Sequence, residues 1–223
     1  MNRRTRRGFL TASLAALGAT AGCLGGDSGA DSPTDSGTQT PTPTPVPGQP
    51  LPTPVAGDPE ADVTVAVYED YACPHCRTYA EEVYPQVRET YISEGTIRYE
   101  FHDFPIPVDE TVSWQAASSA RAVQDEAGDE AFFTYSERLF ANQSSLGPET
   151  YADLTDGLDV DGETVRAAAT GELYRPTVSA DRQNGIDRGV QATPAVLVNG
   201  EPVGWQEIAF EPLQSAIESA RGN

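Results

Sequence analysis

Cys73-Pro74-His75-Cys76 holds the side chains of this 223-residue chain best suited to chemistry. The pair follows an apolar, β-branched run, Val63 to Tyr68, and leads into a helical pattern that begins at Cys76. The first N–H groups of a helix lack intrahelical partners, so they and the helix dipole favour an anion at the sulfur nearest that end. Two cysteines at this spacing can also close a small-ring disulfide. C-x-x-C alone equally serves as half of a zinc site, but strand, then C-x-x-C, then helix points to thiol–disulfide exchange. Cys73 is the expected nucleophile and Cys76 its buried partner, because only the first sulfur projects beyond the helix end. A helix terminus contributes ~0.3–1 kcal/mol, up to ~2 when partly buried, against about 1.4 kcal/mol per pKa unit. A depression much beyond one unit therefore needs direct hydrogen bonds or a nearby cation, and His75 is placed to offer either. Favouring the thiolate stabilises the reduced pair, which makes the disulfide a stronger oxidant.

The elements that must position this pair can be read along residues 58–223. Val63–Tyr68 reads as a buried strand. Cys76–Tyr91 reads as a helix with Ala80, Val83, Tyr84, Val87 and Tyr91 on one face, kinked at Pro85. Thr96–Phe101 is a second strand, and three or more helices fill 110–190, broken near Gly128, at Leu146-Gly147-Pro148 and at Gly171. Ala195–Val198 is a third strand, and Asn199-Gly200 is the favoured two-residue turn into a short fourth. A closing amphipathic helix carries Leu213, Ala216, Ile217 and Ala220 behind Pro212. The expected fold class is α/β, with a mixed sheet of about four strands and a helical insertion after the second.

With these elements in place, the chain resembles the DsbA-like branch of the thioredoxin superfamily over essentially all of 58–223. The matching landmarks are Glu69-Asp70-Tyr71-Ala72-Cys73-Pro74-His75-Cys76, Glu81-Glu82-Val83-Tyr84-Pro85 and Gly189-Val190-Gln191-Ala192-Thr193-Pro194. The resemblance implies a thioredoxin fold and a cis-proline at Thr193-Pro194 beside the C-x-x-C. Such a proline leaves neighbouring backbone free to pair with an extended substrate. Pro-His is also the intervening pair of strongly oxidising members. Relatives that carry a buried carboxylate six residues before the nucleophile have it where this chain has Val67. Glu69 and Asp70 lie nearby, but strand alternation should send one of them away from the core, so the proton relay is left open.

The two ends of the chemistry fit an exported protein. Arg6 and Arg7 resemble a twin-arginine export signal within residues 1–22, and Thr20-Ala21-Gly22-Cys23 resembles a lipoprotein cleavage box in which Cys23 is lipidated. Residues 23–57, rich in Gly, Ser, Thr and Pro, read as an extended linker. Only Cys73 and Cys76 then remain, so no structural disulfide stands beside the pair. Asn142-Gln143-Ser144 is a candidate glycosylation sequon at Asn142.

Charge narrows the partners. The chain carries 34 acidic and 14 basic residues, all arginine, for a net charge of −20. Such self-repulsion loosens a compact state unless salt screens it, with a Debye length of about 3 Å at 1 M. An extreme halophile, archaeal by this composition, is the expected source. The same charge excludes nucleic acid as a partner and disfavours anionic lipid surfaces. The expected function is an extracytoplasmic oxidase that donates its disulfide to exported thiol proteins and is reoxidised by a membrane or soluble partner, with no cofactor. A reductase or isomerase would use the same residues in reverse. A copper or zinc carrier, ligated by Cys73, Cys76, His75 and His102, is the alternative of another class.

Overall fold

In the computed structural model the described residues are 50–222; Arg6, Arg7 and Cys23 lie outside them. Five strands form one mixed sheet: β1 (Val55–Gly57), β2 (Thr64–Glu69), β3 (Arg98–Asp103), β4 (Ala195–Val198) and β5 (Glu201–Pro202), in the order β1-β3-β2-β4-β5. β2 and β3 run parallel, from Thr64 opposite Arg98 to Glu69 opposite Asp103. The other three pairings are antiparallel. Helices cover both faces of β2, which is why it reads as an unbroken apolar run. Val65 and Val67 face the larger core, while Ala66 and Tyr68 face Phe104, Val190 and Leu197 on the other side.

The fifth strand corrects the expectation of four. β1 comes from the stretch expected to be linker, and the fold starts earlier than residue 58. From Leu51 to Val55 the backbone is held by side chains far along the chain. Leu51 N–H donates to Thr177 Oγ1 at 3.0 Å, Val55 N–H to Asp129 Oδ2 at 3.0 Å, and Pro52 O accepts from Gln124 Nε2 at 3.0 Å. Composition alone does not reveal such partners. Gly57 closes β1 at φ +84°, where a Cβ would stand 2.3 Å from Ile97 O.

The helical course after the cysteines runs from α1 (Pro74–Thr78) through a π-helical turn (Tyr79–Val83) into α2 (Tyr84–Val87) and a second π turn (Arg88–Ile92). Pro85 has no N–H to give, and the wide turn before it, with Tyr84 N–H on Tyr79 O, absorbs the loss. Wider turns also shift the buried face. Tyr79, Val83, Val87 and Tyr91, each four residues apart, are buried, whereas Ala80 is only half-buried.

The insertion comprises α3 (Glu110–Ala141), interrupted at Gly128 (φ 80°), then α4 (Pro148–Asp153), α5 (Gly162–Thr170) and α6 (Arg175–Asp187); α7 (Phe210–Arg221) closes the chain. α6 approaches the sheet at Gly185, where a Cβ would lie 2.7 Å from the Phe104 ring. A buried ionic knot joins α3 and α6 to β3. Arg121, fully buried, donates to Asp103 Oδ2 at 2.6 Å and Gln124 Oε1 at 2.8 Å, and also to Asp181 Oδ2. His102 belongs to this knot, with Nδ1 3.4 Å from Asp181 and its ring stacked 4.6 Å from Tyr68. Removing one partner of a buried ion pair strands the others without water. Arg121→Leu is therefore expected to cost about 3–5 kcal/mol of stability, read by urea unfolding in high salt.

Candidate active site

Where β2 ends, Asp70 builds the turn that carries the cysteines. Its Oδ1 accepts from Ala72 N–H at 2.8 Å, and its carbonyl accepts from Cys73 N–H at 3.0 Å. Its Oδ2 accepts from Ile106 N–H at 2.8 Å and Ser113 Oγ at 2.9 Å, tying in the loop after β3 and the start of α3. The alternation expected of Glu69 and Asp70 is corrected here: both are buried, at 3% and 2% exposure. Alternation ends with the strand at Glu69, and these three donors turn Asp70 inward.

Cys73 occupies the N-cap position of α1 with an extended backbone (φ −80°, ψ 120°), followed by Pro74 at the first helical position. Its Sγ lies 3.5 Å from Thr193 O. Cys76 lies one turn in, fully buried, and its Sγ accepts from Asp70 N–H at 3.4 Å. Both thiols are free. The Thr193–Pro194 peptide is cis, and this loop faces Cys73 across 120 residues of sequence.

Residues 50–219 match the family described as Thioredoxin. The chain belongs to the thioredoxin family. The disulfide bond formation protein D of Bacillus subtilis is 26% identical over 162 residues, 70% of each chain. The solved structure of oxidised BdbD from the same organism superposes with a TM-score of 0.69 at 26% identity, covering 80% of this chain and 98% of that one. DsbA of Chlamydia trachomatis, at 20% identity, shares the fold with a TM-score of 0.68. Within the thioredoxin family this is a DsbA-like thiol–disulfide oxidoreductase.

The two thiols of this DsbA-like pair have opposite acidities. Cys73 is lowered to about 5, chiefly by a hydrogen bond from the Cys76 thiol; burial opposes this, and Thr193 and the amides of Cys76 and His75 assist. Cys76 is pushed well above the ordinary thiol value, first by burial, then by its bond to Cys73 and by the charges of Glu69 and Cys73. Direct hydrogen bonds thus carry the depression beyond the reach of the dipole. The His75 side chain is exposed, and its backbone amide makes its contribution. His102 sits in the ionic knot rather than beside the sulfurs. Among the described residues no cluster of three or more His, Cys, Asp or Glu could hold a metal.

The sequence reading missed Gln143. Its Nε2 donates to both Tyr71 O and Cys73 O at 2.9 Å, clamping the cysteine turn to the insertion. The only sequence signal there was the sequon, which drew attention to its neighbour. Asn142 itself is half-buried and donates from Nδ2 to Arg138 O at 2.9 Å. Two neutral hydrogen bonds at about 0.5–1.5 kcal/mol each imply a loss of about 1–3 kcal/mol for Gln143→Ala. Urea unfolding of the reduced protein measures it, and no change would mean that the clamp is idle.

Proposed function

We propose that this oxidoreductase is an extracytoplasmic, lipid-anchored oxidase that donates the Cys73–Cys76 disulfide to exported proteins. The observation that carries the direction is the stabilised Cys73 anion beside a strongly disfavoured Cys76 anion. A substrate thiolate attacks Cys73 Sγ, the bond to Cys76 breaks, and Cys76 takes the electron pair. The second substrate thiolate then attacks its own sulfur in the mixed disulfide and expels Cys73. That last step is favoured because Cys73 is a good leaving group. The substrate loses two electrons, the enzyme gains them, and a membrane or soluble redox partner removes them again. Pro194 and Thr193 line the face on which an extended substrate would lie.

Export and anchoring rest on the sequence: Arg6 and Arg7 as a twin-arginine signal, Cys23 as the lipidated residue, and a linker onward to the ordered domain. Cleavage before Cys23 would remove Arg3, Arg4, Arg6 and Arg7 and take the net charge from −20 to −24. A charge of that size on a lysine-free chain suits a halophile, with working conditions of concentrated salt.

Two measurements test the direction. In high salt the reduction potential is expected near that of strong oxidants, about −120 mV, and a value near about −270 mV would mark a reductase. The second is pH-dependent. The Cys73 pKa is lowered on folding, so its stabilisation of the reduced form is complete above the ordinary thiol value and is lost as pH falls through about 5. Urea unfolding should therefore find the reduced form more stable than the oxidised one at pH 7, with the gap shrinking towards pH 4. A gap that does not change with pH would contradict the assignment.

A further inference from the structure

A nucleophile at an N-cap is aimed by its backbone, and the backbone of Cys73 is held from three sides. Its N–H donates to Asp70 O at 3.0 Å, and its carbonyl accepts Arg77 N–H, the first bond of α1, at 3.2 Å. The second lone pair of that carbonyl takes Gln143 Nε2 at 2.9 Å. The same nitrogen donates to Tyr71 O at 2.9 Å, so one side-chain amide bridges the residues on either side of Ala72. Tyr71 is itself fixed. Its ring centroid lies 4.8 Å from that of Phe140 and 5.7 Å from that of Phe101, and its hydroxyl is 2.9 Å from Ser136 Oγ on α3.

The donor is as firmly held as its acceptors. α3 ends at Ala141, and Asn142 caps it, with its N–H and its Nδ2 both donating to Arg138 O. Gln143 opens the short 3₁₀ turn Gln143–Ser145, which Ser145 N–H closes on Asn142 O at 2.9 Å. Thr150 Oγ1 ties that turn to α4 by donating to Ser145 O at 2.6 Å. A side chain supported in this way holds its partner in one geometry. The bond to Cys73 O can act on the sulfur in two ways. It fixes the rotation that sets Sγ before the amides of α1, and it draws negative charge from an oxygen on the same residue as the thiolate.

We propose that Gln143 is a positioning residue for the exchange reaction: acting through the Cys73 carbonyl, it favours the Cys73 anion and makes the disulfide more oxidising. The inference rests on the exchange chemistry proposed above and names the part of the insertion that tunes it. A clamp that served only the fold would stabilise the reduced and oxidised proteins alike and leave the equilibrium between them where it was. One that supports the anion favours the reduced form, because only that form carries it.

The test compares Gln143→Met, which keeps the length and loses both donors, with the wild-type full chain in high salt. Thiolate absorbance should show the Cys73 midpoint raised by about one pH unit. Equilibration with reduced and oxidised glutathione should shift about tenfold towards the protein disulfide, or about 30 mV. Gln143→Ala should move both readouts in the same direction. A folded variant in which neither moves, whatever its urea midpoint, would overturn the proposal. A measurement on the unmutated chain serves where the variants fail to fold. The side-chain amide resonance of Gln143 should shift with pH in step with Cys73, near 5, and lose that step in Cys73→Ser. An amide that does not follow the thiol would overturn the proposal equally. A wild-type Cys73 that ionises like free cysteine would instead overturn the exchange reading itself.

Discussion

The coupling of two neighbouring thiols, Cys73 at the N-cap of α1 and Cys76 one turn in, sets the character of this protein. It lowers the pKa of Cys73 and raises that of Cys76, and burial, which acts against both anions, is the largest influence on Cys76. The backbone amides at the start of α1 further favour the Cys73 anion, as does Thr193 from the facing loop. An unequal pair of this kind has an inbuilt direction: Cys73 leaves easily, and Cys76 needs a proton when it leaves.

The fold is arranged to keep the two thiols in place. Asp70 gathers the cysteine turn, the loop after β3 and the first turn of α3 into one set of hydrogen bonds. Gln143 grips the same turn from just beyond the end of α3. β4 sets the Thr193–Pro194 loop opposite Cys73 by pairing antiparallel with β2, from Tyr68 opposite Ala195 onward. The insertion is thus a structural partner of the redox turn, and its buried Arg121 knot fixes α3 and α6 against the sheet that carries it.

Features of the fold that depend on neighbouring residues were legible in the sequence. The strand before Cys73, the helix after it, the break at Gly128 and the Asn199-Gly200 turn all follow from local spacing and turn chemistry. What escaped depends on distant partners or on the end of a local rule. β1 and the residues just before it looked like linker because they are held by β3 and by the side chains of Asp129 and Gln124 on α3 and Thr177 on α6. Gln143 acts across 70 residues. Asp70 defied alternation because the strand had already ended, and the π turn before Pro85, which accommodates its missing donor, leaves no trace in the apolar spacing. The His75 side chain is exposed, and its amide is among the groups that favour the Cys73 anion.

The asymmetry of the two sulfurs is tested most directly by thiolate absorbance of the reduced protein, followed against pH in concentrated salt. One thiolate should appear with a midpoint near 5, with no second one until well above pH 9. Two thiols ionising together near the ordinary value of 9.0 would contradict the account.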